Sequence, residues 1–394
     1  MNASLLERIA SIDWTSKGFP DVPTWLNNLL SNDENMVLSA YTQLDEYIIQ
    51  GGVSDENFDL GYRIEEVLRT DAPDILAEFL IELLSETQPL GLSKILTLLI
   101  GQSTYINFRL HDDSLRQRAI VIYRKIWAAR TIYVPFLMHV DRTVRRKTVL
   151  LLCQFRDNPN EVIPLVLEAT TTENDSYTVM SNLQDFTIDF LRQVRIDVVY
   201  EHAYLTLLKN LLVSPLGFVV QVVAAYHIVE QLLDDAPKIA LDRLVEGMII
   251  EFDHEVVLGI MAARPEKQNR LLMKLHPKTA IDLALQVLKR TFLIQNALCA
   301  LVTALSVACE PPALEIDGFF LQPVVVDDKV YYEYSVNRFT LPEKFDLSAL
   351  TPRQTQVIQA VVETNLIWTV VTNLFDLFGL PSNRIELESL LHRE

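Results

Sequence analysis

Apolar residues recur along this chain at three- and four-residue intervals, separated by short polar breaks. That period predicts helices near 3–12, 22–30, 33–50, 58–69, 73–85, 90–101, 112–129, 141–155 and 161–170. It continues near 176–193, 198–212, 215–233, 236–247, 251–263 and 265–275. The remaining helices lie over 277–309 (two, broken near Arg290), 351–378 and 382–392. Proline marks their starts, because its missing N–H costs nothing in a first helical turn. Pro23, Pro73, Pro135, Pro164, Pro215, Pro237, Pro265, Pro277, Pro352 and Pro381 each precede an apolar-periodic stretch.

The period stops between Pro311 and Leu350. There Phe319-Phe320-Leu321 and Val324-Val325-Val326 face Val330-Tyr331-Tyr332-Glu333-Tyr334 across Asp327-Asp328-Lys329. Aromatic and β-branched runs around an acidic turn predict a β-hairpin. The chain therefore divides into a helical array over 1–310, a hairpin insertion over 311–350 and a closing helical pair over 351–394.

Composition narrows the class further. Only 11 of 394 residues are Gly, which disfavours Rossmann domains, α/β hydrolases and β-sandwiches, all rich in turns that need φ > 0. Cys153, Cys299 and Cys309 form no C-x-x-C pair, the usage expected of a reducing, cytoplasmic compartment. Met1–Arg8 lacks the pattern of a signal peptide. Residues 211–229 and 291–309 carry no Asp, Glu, Lys or Arg. Their scattered polar residues predict helices buried in protein rather than membrane spans.

Internal similarity points to repeats. Asp71-Ala72-Pro73-Asp74-Ile75 returns as Asp235-Ala236-Pro237-Lys238-Ile239. A second pattern, Asp-x-x-apolar-Arg-x-x-small, begins at Asp112 (Leu115, Arg116, Ala119) and at Asp141 (Val144, Arg145, Thr148). Weaker copies start at Asp33 and Asp253. In this pattern the Asp caps a helix, the apolar residue packs inward and the small residue admits a neighbouring helix. The Arg, four residues on, is placed to pair with the Asp. Val134-Pro135-Phe136-Leu137 through Val144-Arg145 to Leu150-Leu151-Leu152 resembles a HEAT repeat, a paired-helix unit of α-solenoids. The resemblance covers 110–170 and, more weakly, 20–50, 71–100 and 235–290. The segment from Leu350-Thr351-Pro352 through Trp368 to Arg384 looks like the end of some bacterial HEAT-type proteins. It implies an all-α fold, a right-handed α-solenoid of antiparallel helical pairs, interrupted by the hairpin.

Candidate chemistry is sparse. The sequence holds no Walker loop, G-x-G-x-x-G, G-x-S-x-G, H-E-x-x-H or C-x-x-C. His111-Asp112 has the look of a phosphohydrolase metal motif but lacks an upstream His, and Glu251-x-x-His254 has no second copy. Neither predicts a metal, and no catalytic residue or cofactor is expected. Trp14, Trp25, Trp127 and Trp368, with Tyr41, Tyr105, Tyr123 and Tyr133, read chiefly as packing residues that could also anchor an interface.

Charge is the asymmetric feature. Between Arg109 and Lys147 ten cations face three carboxylates, a net +7, which leaves −25 in the rest of a chain whose total is −18. Arg116, Arg118, Arg142, Arg145, Arg146 and Lys147 are the candidate partner-binding residues. Arg116 and Arg145 are expected to pair with Asp112 and Asp141, and Arg118 and Arg146 to stand outside such pairs. The bland alternative is that all these cations are locally paired.

A non-enzymatic protein-binding scaffold or adaptor follows, with another protein as partner. Its overall acidity fits a basic one, as for a toxin-neutralising or assembly role. The alternative is an enzyme resembling helical-repeat DNA glycosylases, with the 109–147 window as its groove. So acidic a remainder makes a poor nucleic-acid track. A small-molecule role like that of bilin lyases has no residue behind it.

Overall fold

The computed structural model describes the chain except residues 1–2, 47–63, 66, 87–88, 108–109, 111, 195–196, 253–259, 310–315, 318–319, 327–328, 336–337, 340–343, 370–373 and 393–394. It is all-helical in character and falls into two compact units, Met1–Glu201 and His202–Glu394.

The first unit runs α1 (Ala3–Ser11), α2 (Val22–Asn28), α3 (Glu34–Leu44), α4 (Ala72–Leu83), α5 (Pro89–Ser103) and α6 (Asp113–Ala128). There follow α7 (Arg130–Tyr133), α8 (Arg142–Leu152), α9 (Pro159–Thr172), α10 (Ser176–Gln184) and a π-helical stretch over Asp185–Leu191. Helices α11 (Val198–Leu211) to α19 belong mostly to the second unit. In the first unit α2 packs on α3, α4 on α5, and α9 on α10. The later members line up as a row, with α3 against α5, α5 against α8 and α8 against α10; α4 meets α6 alongside it. Apolar side chains fill the seams: Val37, Ala40, Leu96, Leu99, Ala119, Val144 and Leu151 are buried. The expected inward positions of the Asp-led pattern, Leu115 and Ala119, Val144 and Thr148, are buried as well.

The second unit repeats the theme with α12 (Phe218–Leu232), α13 (Lys238–Ile249), α14 (Pro265–Leu272), α15 (Pro277–Arg290), α16 (Ile294–Ala308), α17 (Pro352–Glu363), α18 (Leu374–Leu377) and α19 (Arg384–Leu390). Helix α12 packs on α13, α13 on α15, and α15 on both α16 and α17. Every residue of α16 from Asn296 to Ala308 is buried, as expected for a charge-free stretch enclosed by protein. Two of its polar groups have partners there, while the Ser306 hydroxyl is buried without one. Asn296 Nδ2 donates to the Met248 carbonyl at 2.7 Å, and Thr303 Oγ1 to Asn269 Oδ1 at 3.0 Å. No described helix is long and apolar enough to cross a membrane. The three cysteines are buried and form no disulfide.

Between Ala308 and Pro352, β2 (Phe320–Val326) pairs antiparallel with β3 (Lys329–Ser335), and the two-residue strand β1 (Ile316–Asp317) with β4 (Arg338–Phe339). The proposed turn at Asp327-Asp328 lies outside the described residues.

Helix starts follow the sequence signals closely. Asp33, Asp112 and Asp141 are extended N-caps whose carboxylates accept from the N–H groups of Asn35, Ser114 and Thr143. Thr351 and Gln354 form a reciprocal capping box at α17. Three expectations change. The helix assigned to Pro215 begins at Phe218, because Gly217 adopts φ +126°, a conformation that ends any helical run through it. The stretch 351–378 is broken after Glu363, where Thr364 turns extended and its hydroxyl donates back to the Ala360 carbonyl. Pro164 lies inside α9, which starts at Pro159. Proline cannot donate to the carbonyl four residues back, and that carbonyl, of Asn160, accepts instead from the Tyr200 hydroxyl at 3.3 Å.

Candidate functional site: the cationic row of the first unit

The basic window resolves into two populations. The larger has intramolecular partners. Arg116 does not meet Asp112, whose carboxylate is engaged by the Ser114 N–H; it reaches Asp113 at 3.1 Å and the Leu110 carbonyl at 3.2 Å. Arg145 likewise leaves Asp141 to its cap. It grips Glu173 through Nε and Nη2 at 2.7 and 2.9 Å, and donates to the carbonyls of His139 and Val140 at 2.8 and 3.0 Å. The expected Asp-to-Arg pairs are thus replaced. Each cap uses one oxygen of its Asp, and the guanidiniums are drawn instead to acceptors outside the cap, Arg116 to the Leu110 carbonyl and Arg145 to Glu173.

Arg118 makes no carboxylate pair, as expected, but it is engaged by backbone. Its Nη1 donates to the carbonyls of Leu68, Arg69 and Thr70 at 2.8, 2.9 and 3.0 Å, satisfying the C-terminal end of the preceding helical segment. It is a structural cap rather than an unengaged cation. Lys125 binds Asp74 and Glu78, Arg130 binds Glu161 while lying over the Trp127 ring, and Arg142 reaches Asp175 at 3.5 Å.

Burial alone would raise the Glu173 carboxyl. The Arg145 bond and the Asp175 N–H outweigh it, so the group sits below the usual glutamate range. The same bond to Glu173 raises Arg145.

The smaller population has no such partners among the described residues: Arg124 is exposed on α6, while Arg146 and Lys147 lie on the face of α8 turned toward α5 and α10. The Arg146 guanidinium lies 5.3 Å from the Tyr177 ring centroid, and its buried Nε has no hydrogen-bond acceptor. Among the described residues Lys147 has neither a hydrogen bond nor an ion pair. Burial holds its ammonium below the ordinary lysine range; Arg146 and Lys94 push the same way and Asp185 pulls back. Lys94 comes from α5 and stands 4.9 Å from the Tyr41 ring of α3. On α10, one turn beyond Tyr177, the Ser181 hydroxyl is buried without a partner.

Tyr41, Lys94, Arg146 with Lys147, and Tyr177 with Ser181 therefore come from four successive helices of one row. Tyr41, Lys94 and Tyr177 lie outside the charge-rich window that sequence reading singled out. The available signal was Lys94, the sole charged residue of α5.

Other candidates contribute nothing to this site. Arg109, His111 and His254 lie outside the described residues. Among the described residues no three His, Cys, Asp or Glu side chains gather as a metal site. Of the aromatic candidates, Trp14, Tyr105, Tyr123 and Tyr133 are buried in the core, while Trp127 and Trp368 are half-buried against Phe155 and Phe375.

No family model matches the chain, and no curated protein matches it in sequence. A similar solved structure, the crystal structure of an engineered protein, shares 14% identity over 95% of each chain with a TM-score of 0.34. At that score the likeness assigns neither fold nor activity.

Proposed function

We propose that this chain is a non-enzymatic protein-binding scaffold, a HEAT-like, right-handed stack of antiparallel helical pairs that engages another protein through the row α3–α5–α8–α10. The observation behind this is the row itself: successive helices each contribute an aromatic or cationic side chain to one face, as a repeat array presents an extended binding surface.

The window that could have made a duplex groove is mostly engaged internally. With Arg116, Arg118, Lys125, Arg130, Arg142 and Arg145 bonded to protein groups, few cations are left to track phosphates. That favours the scaffold over a glycosylase-like enzyme. Three buried cysteines outside any disulfide support a cytoplasmic setting. The net charge of −18 supports a second form of the same reading, in which a basic partner docks on the acidic remainder.

The test is affinity purification of the tagged full chain from its source cells, with quantitative mass spectrometry and nuclease treatment. The scaffold reading expects a protein recovered in near-stoichiometric amount and insensitive to nuclease. Recovery of nucleic acid alone, with steeply salt-dependent duplex binding, would sink it.

A further inference from the structure

We propose that Lys94, Arg146, Lys147 and Ser181 form an oxyanion site that holds the carboxylates of an acidic segment in a partner protein; this deepens the scaffold reading by naming its ligand chemistry. Three cations from two adjacent helices share one face, and the nearby counter-charge is Asp185. Such a grouping is costly in three ways. Like charges repel at short range, the half-buried ammonium of Lys147 has lost part of its hydration, and buried donors stand without acceptors. Arg146 Nε and Ser181 Oγ are such atoms.

The neighbouring residue shows the contrast. Arg145 has two carboxylate contacts and two carbonyl contacts. An incoming oxyanion would do for Arg146 and Lys147 what Glu173 does for Arg145.

The tyrosines define the shape. Tyr41 lies against Lys94 and Tyr177 against Arg146, so each cation is backed by a ring face. A guanidinium over a ring keeps its in-plane N–H groups available to an acceptor. Helices α5 and α8 are packed neighbours, and the axes of such helices stand about 8–10 Å apart, the scale on which the Lys94 end and the Arg146–Lys147 end are spaced. A segment in the polyproline II conformation rises about 3.1 Å per residue and returns to the same face at every third residue. Carboxylates three positions apart therefore reach both ends at once, whereas an isolated phosphate reaches one. That span selects an acidic peptide over a free inorganic anion.

The probe is a fluorescein-labelled peptide with Glu at every third position and Gly-Ser between, followed by polarisation with the full chain at low salt. Saturable binding is expected, weakened about tenfold or more by Lys147→Met and by Lys94→Met, a change worth about 1.4 kcal/mol each. Lys238→Met, in the second unit, is expected to bind as wild type. Folding is followed by circular dichroism, and Lys147→Met is expected to melt no lower than wild type, since it removes a repelled charge. A Lys-for-Glu peptide is expected not to bind.

No saturable binding, or undiminished binding by both Met variants, overturns the site. Inorganic phosphate binding as tightly as the peptide overturns the peptide assignment in favour of a point-anion site. A partner still captured from cells by the Met variants would overturn the site alone and leave the scaffold reading standing.

Discussion

Replacing Arg145 by Ala separates structural from free cations most sharply. Arg145 ties the start of α8 to the loop before α10 through Glu173, and both side chains are largely enclosed, at 17% and 4% exposure. Its two carbonyl contacts also fix the approach to α8. Removing one member of a buried pair costs about 3–5 kcal/mol, because the other charge stays behind without compensation. Here Glu173 keeps the N–H groups of Asn174 and Asp175, at 2.9 and 3.0 Å, and Arg145 retains some solvent contact. The low end, about 3 kcal/mol, is therefore expected. In a unit of this size about 2–4 °C of melting temperature corresponds to each kcal/mol, so the first transition should fall by about 6–12 °C.

The assay is thermal and urea unfolding of the full chain, followed by circular dichroism. Arg142→Ala is the matched control: its partner is 3.5 Å away and its side chain is 65% exposed, so a change within about 0.5 kcal/mol is expected. The double variant Arg145→Met, Glu173→Met should recover much of the loss, since it leaves no buried charge. Equal melting of Arg145→Ala and wild type would refute the reasoning.

Other expectations follow from the same geometry. Arg118→Ala should cost about 1 kcal/mol, as an exposed cation loses three carbonyl acceptors; Arg118→Lys should restore part of it in the same unfolding assay. Gly247→Ala should destabilise the second unit by about 1–3 kcal/mol. The added methyl meets Val222, with Cγ2 2.9 Å away, which outweighs the better helix propensity of Ala. Glu173 titrates lower in the folded chain than in the unfolded one, so its contribution is complete above the ordinary glutamate range. That contribution is lost as pH falls through the lowered value. Wild type should thus lose stability more steeply than Glu173→Gln between about pH 5 and 3 in acid melts.

Local signals carried much of the fold. The Asp caps at 33, 112 and 141 act within two residues of themselves, and the apolar partners Leu115 and Val144 obey a short period, so one sequence suffices to read them. The cations are different. Arg118 finds its acceptors about fifty residues upstream, and Arg145 finds Glu173 in a loop beyond another helix. A rule based on i, i+4 spacing cannot see these contacts, which draw the guanidiniums to acceptors other than the capping Asp. The row was hidden for the same reason. Tyr41, Lys94 and Tyr177 are far apart in sequence, and only the packing of α3 on α5 and of α8 on α10 brings them beside Arg146 and Lys147.

The division of cations into bonded and available ones, with the available ones facing a partner, has a direct test. The full chain and its Lys94→Met, Lys147→Met double variant are used in parallel to capture proteins from source cells, after both are shown to melt alike. The account predicts that a protein bound stoichiometrically by wild type is lost from the double variant, and that Arg142→Met still retains it. The same protein held equally by wild type and by the double variant would contradict it.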